Sequence, residues 1–333
     1  MTASGLWGSV PRLLKGRFRM NMKYHSIGLV VWVAFSSLPS AVMAWGPEGH
    51  EIVADIAEAY LTPTAKEKVE DILGSKKLGD FDIAVWPDVI RGNKEYSEMY
   101  PGNGRWHYVD FDAAKRYDEE FELELPEDGQ DVVTQVARWR DELSSKEISA
   151  DRRLDALRFL VHLAGDLHQP MHCAYRYGDM GGNMIPVDSF TGRNYSFDTN
   201  TPMDYAQSVH SIWDEALVLE LIGGRKPRMV ARELRKEVDS ERAERWVRES
   251  IFNWATDGYW LARKKAYRWT DGTSLPYKWA RPGMDLTSEN YIDSHLPIVR
   301  EQLQKAGVRL AHLINTALDP AYVLPPLPEK TEK

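Results

Sequence analysis

Apolar residues recur three and four positions apart along most of the chain, the period of a helix that buries one face. The pattern predicts helices over residues 51–60, 132–143, 151–167, 205–221, 227–238, 243–265 and 290–318. Thr62-Pro63 reads as an N-cap followed by a first-turn proline, opening a further helix that ends near Gly74. Residues 92–105 carry Gly92, Asn93, Pro101, Gly102, Asn103 and Gly104 and read as loop. Residues 173–204 are rich in Gly, Asn, Ser, Thr and Pro, which predicts an irregular loop or a short hairpin of 184–187 with 194–197. Alternating strand patterns are scarce and no βαβ repeat is present. The expected fold is all-α, one mainly helical domain with long functional loops.

The first residues follow a different pattern. Residues 1–24 contain Arg12, Lys15, Arg17, Arg19 and Lys23 and no acid, residues 27–43 are mostly apolar, and Val42-Met43-Ala44 places small residues where a signal peptidase reads. The expected organisation is a signal peptide over 1–44, one main folded domain over 45–320, and a disordered tail over 321–333 that includes Pro325-Pro-Leu-Pro. The long basic start also allows translation to begin at Met20 or Met22. An uncleaved anchor is the alternative, but the apolar run falls short of the roughly 20 residues a span needs. Cleavage makes the protein secreted or periplasmic, without stable membrane association, and a monomer is expected.

Removing 44 residues that hold five basic and no acidic side chains leaves 289 residues and moves the net charge from −8 to −13. Such a surface repels nucleic acid unless bound divalent cations reverse the sign locally. An apolar content of 43% with 12 Trp describes a folded chain. Cys173 is the one cysteine, so no intramolecular disulfide is possible, and a secreted chain without one depends on a large core or on metal. The thiol beside His172 is either a ligand or, as suits a lone cysteine better, a small buried hydrophobe.

Candidate chemistry concentrates in the run Phe159-Leu-Val-His162-Leu-Ala-Gly-Asp166-Leu-His168-Gln-Pro170-Met-His172. His162 and Asp166 are four apart and share a helical face. Pro170 ends the helix and lets His172 leave in another direction. Imidazole nitrogens and a carboxylate on a rigid support suit zinc; the bland alternative is a polar helix face with solvated histidines. A second His-x3-Asp pair, His210 and Asp214, follows on another predicted helix, and His50 and His107 sit in Gly- and Trp-flanked contexts. These are more candidates than the roughly four ligands of one tetrahedral site, so the count suggests a multi-metal centre.

Six ordered elements carry a resemblance: Trp45-Gly-x3-His50, Trp86-Pro-Asp88-x2-Arg91, Trp106-His107-x2-Asp110, His162-x3-Asp166-x5-His172, Gly181-Gly-Asn183 and His210-x3-Asp214. Together they resemble the secreted trinuclear zinc nucleases, the S-one/P-one type single-strand nucleases of the phospholipase C/nuclease superfamily. The resemblance implies that fold, and three Zn2+ ions per chain. One is implied to take Asp88, His107, His162 and Asp166. A neighbour takes His50, the bridging Asp166, and the α-amine and carbonyl of Trp45, which links activation to signal cleavage. The third takes His172, His210 and Asp214. It further implies that Arg91 neutralises phosphoryl charge, that Asp110 orients the attacking water, and that Asn183 contacts substrate. Tyr108 is a candidate for base stacking, with a core aromatic as the alternative. The chain departs from fungal and plant members in lacking their disulfides.

The implied reaction is zinc-dependent endonucleolytic hydrolysis of single-stranded DNA and RNA to 5′-phosphorylated products, with 3′-nucleotidase activity. The first alternative is a zinc-dependent phospholipase C, which would favour Glu at the place of Asp214. The second is a non-catalytic zinc-binding protein, in which Arg91 and Asp110 would have no reason to accompany the ligands. Asp55 is expected to point roughly 140° away from His50 as a solvated acid. Asp82 is set aside in favour of Asp88. His168 is expected to orient a neighbour or to lie exposed, and His295 and His312 to be structural.

Overall fold

The computed structural model describes residues 45–114, 122–190, 207–276, 284–286 and 289–324. The signal segment, residues 194–197 and the tail from 325 therefore lie outside the described residues. The described residues belong to one compact unit, Ser40–Lys333.

Thirteen α-helices are present among the described residues. They are α1 Pro47–Glu58, α2 Pro63–Leu73, α3 Phe81–Ala84, α4 Trp86–Ile90, α5 Lys94–Met99, α6 Val132–Ser144, α7 Ala150–Asp166, α8 Val209–Ser211, α9 Leu217–Ile222, α10 Pro227–Lys236, α11 Ser240–Val247, α12 Ile251–Leu261 and α13 Glu289–Leu318. The all-α expectation holds. Thr62 caps α2 as expected, its hydroxyl accepting from Ala65 N–H at 3.1 Å. The long α13 packs against α1, α6, α7 and α9. A small sheet flanks the helices in the order β2-β1-β3, from Pro186–Phe190 (β1), Gln207–Ser208 (β2) and Met284–Leu286 (β3), with β1 antiparallel to β2 and parallel to β3.

Three expectations need correction. Residues 92–105 are not all loop: α5 lies there with a short 3-10 turn at Asn103–Arg105, and Asn93 caps α5 by accepting from Glu95 N–H. The helix expected over 243–265 is broken, because the Ser250 hydroxyl accepts from Asn253 N–H and starts α12 afresh after α11. The expected helix over 205–221 begins only at Val209, where Ser208 and Ser211 form a capping box, and it passes through a π-turn at Ile212–Ala216.

One aromatic cluster matters for the site. Phe159 on α7 stacks on Trp139 at 4.3 Å and meets Trp86, Tyr100 and Trp106 edge-on at 5.4, 5.0 and 5.3 Å. Trp86 precedes Asp88 by two residues, Trp106 precedes His107 by one, and Phe159 precedes His162 by three. Burying these rings against one another therefore fixes the segments that carry three candidate ligands. Phe159→Ala is expected to destabilise the protein by about 3–5 kcal/mol in urea unfolding; a loss below about 1 kcal/mol would contradict this role.

His312 on α13 is half-buried beside Tyr322, whose hydroxyl lies 3.1 Å from Nδ1. Burial first, and Arg140 second, push its pKa down to about 4. The folded value is below the unfolded one of about 6.5, so the protein gains full stability above that value and loses some as pH falls toward 4. His312→Gln is expected to narrow the difference in unfolding midpoint between pH 7.5 and pH 5. An unchanged difference would remove His312 from the acid response.

Candidate metal centre

The predicted ligands converge from distant parts of the chain. α1 carries His50, α4 carries Asp88, the turn after Asn103–Arg105 carries His107, and α7 carries His162 and Asp166. His50, Asp88, His107, His162 and Asp166 are all buried. Asp166 is the hub. His50 Nε2 lies 3.3 Å from its Oδ1, while His107 Nδ1 and His162 Nε2 lie 2.9 and 3.3 Å from its Oδ2. Asp88 completes the group, 3.5 Å from both His107 Nδ1 and His162 Nε2. A second buried group forms beside it. His210 Nε2 is 3.2 Å and His172 Nε2 3.6 Å from the carboxylate of Asp214.

The second bonds of the imidazoles set their tautomers. His162 donates Nδ1–H to the Ala84 carbonyl at 2.8 Å, His172 to that of His107 at 2.7 Å, and His210 to that of Gly181 at 2.7 Å. Each leaves an Nε2 lone pair aimed at the carboxylates, the arrangement of a metal-ligating histidine with an outer partner. The interior of the site is rich in acceptors that the protein does not satisfy. His50 Nε2, both Asp88 oxygens, Asp166 Oδ1, His172 Nε2 and His210 Nε2 are buried without a protein hydrogen-bond partner. Such groups cost free energy unless paired. Three sets of donor atoms could each hold a metal ion: His50, His162 and Asp166; Asp88, His107 and His162; and His172, His210 and Asp214. The donor chemistry, nitrogen and carboxylate oxygen, fits a zinc-type ion.

Electrostatics point the same way. Burial lowers the pKa of His50, His172 and His210, and takes His107 down to about 4, so these rings stay neutral donors. Burial opposes charge on His162 as well, but the facing Asp166 and Asp88 carboxylates raise it to about 10. Without a metal ion a proton therefore occupies His162 Nε2, between two buried carboxylates, at the place where a cation would take up its lone pair. Burial drives Asp214 well above the ordinary carboxylate range despite His210. A divalent cation in each group answers both imbalances.

Glycines let the backbone approach. A Cβ on Gly165 would lie 2.8 Å from His50 Nδ1 and 3.7 Å from the Trp45 ring, so α7 passes His50 only because that position is bare. Trp45 itself is buried, and the next residue, Gly46, donates its N–H to the Asp214 carbonyl at 2.8 Å, tying the proposed mature end to the second group. Gly181, at φ 61, brings its carbonyl to His210 where a side chain would meet the Met171 carbonyl at 2.7 Å.

A cleft of about 160 Å³ opens onto the second group, lined by Arg91, Tyr108, Asp110, Asn183, His172 and His210 with Met171, Met180 and Gly181. All four residues predicted to act on substrate thus share one cavity with two predicted ligands. Arg91 donates to the Gly104 carbonyl at 3.0 Å and stands 4.0 Å from Asp88. Tyr108 is half-buried in the cleft wall and is not a core ring. Asp110 sits at the solvent-facing rim, where partial desolvation and then the neighbouring Asp179 raise its pKa. Asn183 donates its side-chain amide to the Met180 carbonyl at 2.9 Å, so part of its capacity braces the loop.

Other candidates fall outside. Asp82 pairs with Lys76 on the surface. Asp55 points away from His50 as expected, but it is half-buried and not a solvated acid. It faces a polar cavity of about 280 Å³ with Lys77 and Arg228, and burial raises its pKa. His168 is buried, donating to the Ala164 carbonyl and accepting from Arg309 at 3.0 Å. His295 is buried against Tyr291 and Trp213. Cys173 is buried with its thiol on the Leu167 carbonyl, and burial pushes its pKa up, so it belongs to the core and not to the ligand sets. Sequence reasoning missed Gln169. Its side chain is fully buried, donates to Asp214 and accepts from Met171 N–H at 2.6 Å. Its partner lies 45 residues away, so only its place inside the histidine run could have drawn notice.

The described residues contain no helix long and apolar enough to cross a membrane. The family model of the S1/P1 nucleases matches residues 45–319. Among similar proteins, Endonuclease 2 of Arabidopsis thaliana is 28% identical over 86% of this chain and 94% of its own length. Nuclease P1 of Penicillium citrinum is 27% identical over 81% of this chain and 97% of its own. Nuclease S1 of Aspergillus oryzae is 23% identical over 85% and 95%. With a buried His/Asp centre, a cleft beside it and a family match across nearly all of the described chain, this protein belongs to the S1/P1 nuclease family and is an enzyme that hydrolyses ester bonds.

Proposed function

We propose that the protein is a zinc-dependent endonuclease that cleaves single-stranded DNA and RNA to 5′-phosphorylated products and also removes 3′-phosphates from nucleotides. The reading rests above all on the acceptor-lined groups around Asp166 and Asp214, each with imidazole lone pairs held by backbone carbonyls, opening beside an arginine-bearing cleft. The ligand assignment is that of the resemblance. Asp88, His107, His162 and Asp166 hold one zinc; His50, Asp166 and the Trp45 amine and carbonyl hold a second; His172, His210 and Asp214 hold the third. Cleavage after Ala44 frees that amine, in an exported, monomeric enzyme whose domain runs from 45 to about 320. The family match beginning at Trp45 supports that boundary.

Bound zinc lowers the pKa of water from about 16 to about 7 and draws charge off phosphoryl oxygens. The chain's own residues supply the rest. Arg91, held by the Gly104 carbonyl, offers a planar donor pair to the phosphoryl oxygens as charge grows on them. Asp110, at the rim, orients the attacking water and takes its proton; its raised pKa suits a group that must accept one. Tyr108 stacks on the base of the bound nucleotide and Asn183 contacts it, which favours a strand whose bases are not already paired. A duplex would have to unpair to enter, at a cost of a few kcal/mol.

Protein beginning at Trp45 is expected to release 5′-nucleotides from single-stranded DNA, and a chelator is expected to stop it. No cleavage by zinc-loaded protein would end the nuclease reading and make phospholipid headgroups the next substrates to try. Arg91→Ala should keep the parental zinc content while kcat/KM falls about 10²- to 10³-fold; unchanged turnover would remove its role. Gly165→Ala should displace His50 and lower bound zinc with helical content preserved, read by elemental analysis beside circular dichroism. Full zinc occupancy in that variant would show that His50 is not a ligand.

A further inference from the structure

A strongly basic segment lies outside the metal centre and its cleft. From Arg225 to Lys236 the chain holds six basic side chains and one acid, whereas residues 45–333 together carry a net charge of −13. α10 spans most of this segment. Val230, Ala231 and Leu234 are buried and dock it on α1. Arg228, Arg232 and Arg235 follow the i, i+4, i+7 spacing of one helical face beside that stripe. With Lys77 they line a polar cavity of about 280 Å³, together with Asp55 and Glu58 from α1. The cavity shares no residue with the cleft, and Asp55 places it on the side of α1 turned away from His50.

The four cations are not spent on the fold. Among the described residues none of their side chains makes a hydrogen bond or an ion pair, whereas the neighbouring Arg225 pairs with Glu233 at 2.5 Å. Glu51 and Asp55 lie near Arg228 without closing an ion pair, and Glu58 is engaged by the Leu78 N–H at 3.0 Å. Four cations against two carboxylates leave the cavity lining net positive. Like charges three and four apart on one face repel, and Arg228 stands in the first turn, where the helix dipole disfavours a cation. Lys226 makes no side-chain cap bond that would relieve that turn. Local conflicts of this kind mark functional sites.

We propose that Arg228, Arg232, Arg235 and Lys77 form a non-catalytic site for the phosphodiester backbone of a single strand whose scissile bond lies in the cleft, so that long strands bind more tightly than short ones. The proposal rests on the nuclease reading above. Planar guanidinium groups bind phosphate oxygens through paired N–H donors, and backbone contacts carry no base preference. An otherwise acidic surface repels a polyanion, so a basic face gives the strand its foothold. α10 exposes Met229 as its one large apolar side chain, too little for a helix that lies in a bilayer surface. A strand that touches both places has to pass round α1, about 10–12 Å across with its side chains, which a mononucleotide cannot do.

Arg228→Gln, Arg232→Gln and Arg235→Gln together remove three charges and keep residues that suit a helix. The matching set Arg228→Lys, Arg232→Lys and Arg235→Lys keeps the charges. The test measures KM of the zinc-loaded proteins for a single strand of about 40 nucleotides, well beyond the roughly 4–16 that one single-strand module covers, and for a 3′-phosphorylated mononucleoside. Thermal unfolding is followed on the same preparations. In the Gln set KM for the long strand is expected to rise roughly 3- to 150-fold, as loss of three exposed ion pairs predicts, with KM for the mononucleoside unchanged. Its slope of log KM against log salt should be shallower by about 2, at about 0.7 per phosphate on a single strand, and by about 0.7 for Arg232→Gln alone. The Lys set should stay near the parent. An unchanged long-strand KM, or equal rises on both substrates, overturns the site. Loss of binding to phosphatidylglycerol vesicles with strand KM unchanged would assign the face to membranes and overturn it too. If the zinc-loaded parent cleaves no strand, the nuclease reading has failed, and fluorescence anisotropy of the same strand with parent and Gln set still decides the site.

Discussion

Two carboxylates and three imidazoles sealed from solvent around Asp166 set the terms for the rest of the molecule. Asp88 and Asp166 are buried, and several of their oxygens find no hydrogen bond within the protein. Burying such charge without compensation costs several kcal/mol per ion, so the fold depends on a cation at that place or on protons that would silence the chemistry. The neighbouring group at Asp214 repeats the problem on a smaller scale. On the proposed reading, stability and activity share one origin, because an ion that would complete the fold is also the ion that the chemistry would require.

The scaffold meets this constraint by placing rigid packing beside three of the candidate ligands, Asp88, His107 and His162. Phe159, Trp86 and Trp106 join in one ring cluster and each stands within three residues of a ligand, so ligand positions follow from apolar packing rather than from loop conformation. Backbone carbonyls from Ala84, His107 and Gly181 then select the imidazole tautomers. Gly181 provides the close approach that its bond to His210 demands, and Gly165 lets α7 pass close to His50. Gln169 adds a neutral donor to Asp214, steadying the carboxylate without adding charge. The same loop that fixes His210 through Gly181 also carries Met180 and Asn183 into the cleft, which ties substrate contacts to ligand geometry.

Much of this was legible in the chain. Helical spacing identified the main helices because their buried faces are long and regular, and the paired His-x3-Asp spacing announced two ligand-bearing helices before any geometry. Convergence of His50, Asp88 and His107 on Asp166 was not contained in local spacing; it came from the ordered resemblance. Errors arose where a short polar interaction overrode periodicity. Ser250 restarts a helix inside an apolar pattern that runs on through it, and Asn93 starts α5 inside a stretch dominated by turn residues. Asp55 was misjudged because helical phase says which way a side chain points and not what packs there.

On the proposed reading, the buried groups around Asp166 and Asp214 are one metal centre. Anomalous diffraction from crystals of protein beginning at Trp45, recorded on either side of the zinc absorption edge, addresses it most directly. Three zinc peaks per chain are expected, two of them sharing Asp166 and one enclosed by His172, His210 and Asp214. Zinc confined to surface residues, or no peak beside Asp166 in protein that cleaves nucleic acid, would contradict it.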